Sequence, residues 1–137
     1  MDIKRRVKNL EYKYGTRNPF SLCRMLKIKI LYLDLGEIKG IYKKILTNKF
    51  IVINENLDDF CQRVVLAHEL GHALLHHSKE IQTLKDYDLF PRFSNRLEME
   101  ANKFAAELII DEDVDDYVEN PSLDIRLLEQ LRELKKR

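Results

Sequence analysis

Five residues constrain this chain more than any others. His68-Glu69-Leu70-Gly71-His72 reads H-E-x-x-H, inside a run of helical character from about residue 58 to about residue 77. On a helix, residues four apart project from one face. His68 and His72 therefore aim both imidazoles at one point, and Glu69, about 100° round the helix, reaches a water at that point. Two nitrogen ligands with an adjacent carboxylate as general base is the arrangement of zinc peptidases. The chain has only 4 His in 137 residues, so chance yields the pattern about once in a hundred such chains. The bland alternative is an amphipathic helix with two histidines on its inner face. The sequence downstream argues for the metal.

The flanking pattern predicts an α+β fold. Val7, Leu10 and Tyr14 recur at helical spacing over residues 2 to about 14, and Gly15 ends that helix. Asn18-Pro19 reads as a cap followed by Pro at the first position of a short helix through Phe20, Leu22, Cys23 and Leu26. Ile28 to Tyr32, Ile41 to Leu46 and Phe50 to Ile53 are β-branched or aromatic runs of strand length, with Thr47-Asn48 as the turn between the last two. They predict a small three-stranded, mostly antiparallel sheet packed with a zinc-binding helix pair and additional flanking helices. The last strand leads to Asp58, an N-cap for the motif helix. Its edge, beside the metal cleft, either offers main-chain hydrogen bonds to an extended substrate or is plain structural sheet, and the sequence fits both equally. Residues 79 to 93 lack a period, and Pro91 marks a break. Such a loop is either a crossover connection or a lid. Asn95 caps a second helix through Leu108, Asp111 to Glu119 is an acid-rich exposed turn or short helix, and Leu123, Leu127, Leu128, Leu131 and Leu134 line a last helix whose stripe packs on the core, with a dimer seam as the alternative.

Composition excludes several classes. A 45% hydrophobic chain of this length supports one domain, residues 1–137, with a modest core. A net charge of +1 gives no argument for direct nucleic-acid binding. No apolar run approaches 18 residues, so no membrane span is expected, and the polar N-terminus does not read as a secretory signal. Cys23 and Cys61 form no C-x-x-C, and Cys61 lies ~10 Å along the helix from His68, too far to share its ion. Both read as buried free thiols in a reducing, cytoplasmic compartment.

A hydrolytic zinc needs three protein ligands and one open position. The extended H-E-x-x-H-x-x-G-x-x-H pattern requires Gly at 75 and His at 78. The chain has Leu75 and Ser78, so that route fails. His76 is ~12 Å along the axis from His68, too far to join it on one ion without breaking the helix. His76 and His77 are left as rim or substrate-side residues. The third ligand must come from the second helix, where Glu98 and Glu100 both flank the inward stripe and periodicity does not choose. Asn102, four residues beyond Glu98, offers an oxygen to one of the imidazoles. Glu100 has Phe104 in that place, which cannot accept. Glu98 is favoured and Glu100 is the alternative.

His68 to His76 (H-E-L-G-H-A-L-L-H) followed by Glu98 to Leu108 (E-M-E-A-N-K-F-A-A-E-L) resembles the ImmA/IrrE family of metallopeptidases. The likeness is close over the helix pair and general over residues 20 to 110. It implies a gluzincin-like α+β fold, zinc held by the motif histidines and a downstream glutamate, and site-specific cleavage of repressors of mobile elements or stress responses. One departure is visible: Ile109-Ile110-Asp111 stands where members often have Leu-Met-Pro, at the helix end and away from the metal ligands. No helix-turn-helix signal is present, so a DNA-binding repressor would be a separate partner and substrate.

Two function classes follow. In the first the chain is a zinc endopeptidase with His68, His72 and Glu98 as ligands, Glu69 as base, and His76, His77 or a loop residue steadying the oxyanion. In the second it is a non-catalytic zinc-containing regulatory module that sequesters a repressor without cutting it. A toxin-like component of a paired operon is a weaker third.

Overall fold

Capping chemistry sets the ends of the first elements. In this computed structural model, which describes residues 1–76, 82–85, 96–110 and 125–136, α1 spans Ile3–Tyr14. It starts behind Asp2, whose side chain accepts from the Arg5 N–H, and stops at Gly15, whose φ of 72° suits a residue without Cβ. α2 (Pro19–Met25) is capped by Asn18, which accepts from the N–H groups of Phe20 and Ser21, with Pro19 at its first position. His77, Pro91, Asn95, the acid-rich stretch and Leu123 lie outside the described residues.

The sheet holds the three expected strands, β1 (Lys29–Leu33), β2 (Ile38–Ile45) and β3 (Asn48–Asn54), and a fourth, β4 (Gln82–Lys85). Their order is β1-β3-β2-β4. β1 runs parallel to β3, and the other two pairs are antiparallel. β4 falls in the stretch read as loop because Gln82-Thr83-Leu84-Lys85 carries a single apolar residue and so shows no period. The central place of β3 overturns one expectation. Both of its edges already carry sheet hydrogen bonds, so it offers none to an extended substrate.

The β2–β3 hairpin turns at Leu46 and Thr47, one residue earlier than expected. Leu46 sits at φ 54° and is 87% exposed. A left-handed backbone costs an L-residue about 1–2 kcal/mol, and glycine escapes that while adding about 0.5–1 kcal/mol of chain entropy. With no packing to lose, Leu46→Gly should raise stability by about 0.5–1 kcal/mol. A urea midpoint equal to or below that of the parent would refute it.

α3 (Asp59–Leu75) is the element on which the others pack. Asp58 caps it, accepting from the Cys61 N–H at 2.8 Å. Its neighbours are α2, β2, β3 and α4 (Arg96–Ile109). α5 (Ile125–Lys136) lies on α4, and Leu127, Leu128 and Leu131 are buried in the common core, as its leucine stripe predicts. Lysines tie these two helices end to end. Lys103 Nζ donates to the carbonyls of Leu134 and Lys135 at 3.0 and 2.8 Å, and Lys135 Nζ donates to the Ile110 carbonyl. Arg17 likewise donates to the Glu107 and Leu108 carbonyls. Each cation meets carbonyls that a helix end leaves unpaired.

Two glycines let other elements close on α3. A Cβ on Gly40 of β2 would stand 2.5 Å from Val65 Cγ1 and 3.5 Å from Glu69 Cγ. The register between β2 and β4 shifts at this same point, between Ile38 and Gly40. A Cβ on Gly71 would meet Phe104 Cδ1 at 3.1 Å and the Ala101 Cα at 3.3 Å, so the mid-helix glycine serves the approach of α4. Gly71→Ala should be near neutral, since about 1 kcal/mol of helix propensity offsets the tight contact. Gly71→Val adds bulk that Phe104 cannot yield to and should cost about 1–3 kcal/mol. Equal unfolding midpoints for the two variants would sink this account.

Candidate metal site

The site forms where α3 and α4 cross. His68 and His72, one turn apart on α3, are each 1% exposed. Glu98, in the first turn of α4, points its carboxylate between them. Glu98 Oε2 lies 3.1 Å from His68 Nε2, and Glu98 Oε1 lies 2.9 Å from His72 Nε2. The ligand atoms of these three residues fall within 4.8 Å of one another. The rings of His68 and His72 stand edge to face, 4.8 Å apart and 82° between planes. Glu100, the alternative third ligand, is elsewhere: its Oε1 lies 3.5 Å from His76 Nε2.

Electrostatics divide the two acids. Burial pushes the Glu98 carboxyl up, but the two imidazoles set against it, His68 and His72, outweigh that and hold it far below the usual carboxylate range. Glu69 is fully buried. Desolvation, and then the neighbouring charge of Glu98, push its carboxyl well above the ordinary value. Neither of its oxygens has a hydrogen-bond partner. An acid that stays ionised and an acid poised to hold a proton thus sit side by side.

These donors fit a divalent ion. Two imidazole nitrogens and one carboxylate are the ligand types that Zn²⁺ takes in open, hydrolytic sites. Of the eight buried polar atoms without a hydrogen bond among the described residues, five belong to the motif and the facing turn of α4: both Glu69 oxygens, His68 Nδ1, His72 Nε2 and Asn102 Oδ1; the others are Arg63 Nε, His76 Nε2 and Glu107 Oε1. Buried polar groups are normally paired, so such a concentration is what a site for an ion and its waters requires.

Sequence reasoning missed two details. Asn102 is buried, yet its Oδ1 holds no imidazole. The geometry favours Glu98 through its own position between the two rings and not through Asn102. His76, expected at the rim, is buried, with its Nδ1 2.9 Å from Nδ1 of His72. Burial, followed by His72, lowers its pKa. The hint in the sequence was its i+4 spacing from His72, which the search for a third ligand set aside. Cys23 and Cys61 are buried and form no disulfide, as expected, and burial pushes the Cys23 thiol up to about 12.

Comparison with known proteins places these residues in context. Residues 23–137 match a peptidase family described as IrrE N-terminal-like domain. An immunity region protein of Bacillus phage phi105 is 41% identical over 109 residues, covering 79% of this chain and 68% of that protein. Metallopeptidase ImmA of Bacillus subtilis is 39% identical over 110 residues, covering 79% of this chain and 63% of that protein. The chain thus spans about two thirds of the length of these relatives. No solved structure matches it. Among the described residues, no helix is long and apolar enough to cross a membrane.

Proposed function

Since this chain belongs to the ImmA/IrrE family of metallopeptidases, we propose that it is a zinc-dependent endopeptidase that cuts one bond in a specific protein, a helix-turn-helix repressor of a mobile element or stress response. The observation that carries the proposal is the convergence of His68, His72 and Glu98 on one point beside the buried, unpartnered carboxylate of Glu69. A repressor is the substrate class favoured by the likeness to an immunity region protein and to a metallopeptidase. The chain acts in the cytoplasm, where such a repressor is found, and does not bind DNA itself.

His68 and His72 would hold the ion through Nε2, the atoms that face Glu98, and Glu98 through its carboxylate. When bound, the ion supplies Lewis acidity, polarising the scissile carbonyl and acidifying the attacking water. Glu69 takes a proton from that water at a carboxylate oxygen and delivers it to the leaving amine. Its raised proton affinity suits the first half of that task. Glu69 is fully buried, as are Val65, Leu66 and Leu70 near it along α3, so the proton it takes is held away from bulk water.

The test is incubation of the zinc-loaded protein with helix-turn-helix repressors from its own source, read by intact mass. One pair of fragments whose masses sum to the repressor plus water is expected, with casein left whole. A repressor that stays intact in a stable complex would overturn the proposal in favour of the non-catalytic module.

A further inference from the structure

A metal-bound imidazole usually passes its second N–H to an oxygen, which fixes its tautomer and orientation. Among the described residues, His72 meets a nitrogen there instead. Its Nδ1 lies 2.9 Å from Nδ1 of His76. The way α3 ends produces this contact. The backbone leaves the helix at His76 with φ −124° and ψ 137°, while the His76 N–H still donates to the His72 carbonyl at 3.0 Å. The His76 ring is thereby set against His72, with centroids 5.1 Å apart and planes 49° apart. On its far side, His76 Nε2 lies 3.5 Å from Glu100 Oε1. His76 is not among the residues whose ligand atoms converge.

The protons on this chain of groups are constrained. Only one of two facing Nδ1 atoms can carry the hydrogen between them. His72 Nε2 is the atom turned toward Glu98. To bind a cation there, His72 must be neutral with its proton on Nδ1. His76 must then accept at Nδ1 and carry its own proton on Nε2, which stands 3.5 Å from Glu100 Oε1 without a hydrogen bond. His72 and His76 are thus each in the state the other requires.

We propose that His76 is a positioning residue that locks His72 in its metal-binding tautomer. This rests on the reading of His68, His72 and Glu98 as a metal site, and it gives a role to a residue that site does not use. His68 has no such support, since its Nδ1 is buried without a partner.

The experiment is zinc affinity, by competition with a chromophoric chelator, for the full chain and two variants, together with ¹⁵N–¹H spectra of the zinc-loaded, histidine-labelled protein. His76→Phe fills the space but cannot accept, and should weaken zinc binding about 10–100-fold. His76→Gln, whose amide oxygen accepts, should recover most of that loss. The spectra should place the His72 proton on Nδ1 and the His76 proton on Nε2. Unchanged affinity in His76→Phe, or a His76 proton on Nδ1 in the zinc form, overturns the positioning role while leaving the metal site intact. Should His76→Phe fail to fold, the spectra of the parent protein decide alone. A parent protein that takes no zinc overturns both readings.

Discussion

Glu69→Gln should lower the rate of substrate cleavage by about 10²–10⁴-fold, the usual worth of a positioned base, while leaving metal content unchanged. The substitution isolates one property. Glutamine matches glutamate in size, and both carboxylate oxygens are buried without partners, so no existing hydrogen bond is lost. What disappears is the capacity to take and return a proton. The ion-free protein gives a second readout. Burial and Glu98 raise the folded pKa of Glu69, so the folded state binds its proton more tightly than the unfolded state. Glu69 is therefore neutral in both states at low pH and contributes nothing there. As pH rises above the unfolded value, its ionisation favours the unfolded chain, and the penalty grows until the folded pKa is passed. Chelator-treated Glu69→Gln should accordingly melt above the parent at pH 8, with the gap closing toward pH 4. Wild-type cleavage by the variant would remove Glu69 from the base role, and a pH-independent gap would refute the buried-acid account.

Much of this arrangement is legible in the sequence, because the decisive signals are local. H-E-x-x-H places two imidazoles on one face by helical geometry alone, and Asn18 and Asp58 each cap the helix that follows them. The choice between Glu98 and Glu100 was not local. Both flank the inward stripe of α4, and their separation depends on the rotation of α4 against α3, which the Gly71–Phe104 contact sets. The place of β4 and the central position of β3 are likewise products of long-range pairing, with no periodic trace in Gln82–Lys85. His76 was misplaced because spacing along an ideal helix excludes it as a ligand and says nothing of a helix that ends there. Burial then does what periodicity cannot report, bringing its ring against His72.

Removing a ligand should have the largest effect on metal content. His68→Ala and Glu98→Ala are each expected to emerge from metal-replete purification without zinc, whereas Glu100→Ala should retain it at micromolar protein concentration. A Zn²⁺ held by three protein groups loses a third of its anchoring with any one of them. The loss should exceed the roughly 10–100-fold that an outer partner is worth. Glu98 adds a second reason. It lies within 3.1 Å of both imidazoles and is the only acid in the converging cluster found among the described residues. Without it the ion would carry its full charge into surroundings where His68 and His72 are 1% exposed, and an uncompensated charge is costly there. Glu100 touches the cluster only through His76, 3.5 Å away. Its removal should weaken binding without emptying the site. Elemental analysis of the three variants decides the matter. Zinc kept by Glu98→Ala and lost by Glu100→Ala would exchange the roles of the two glutamates and require α4 to turn from the orientation seen here.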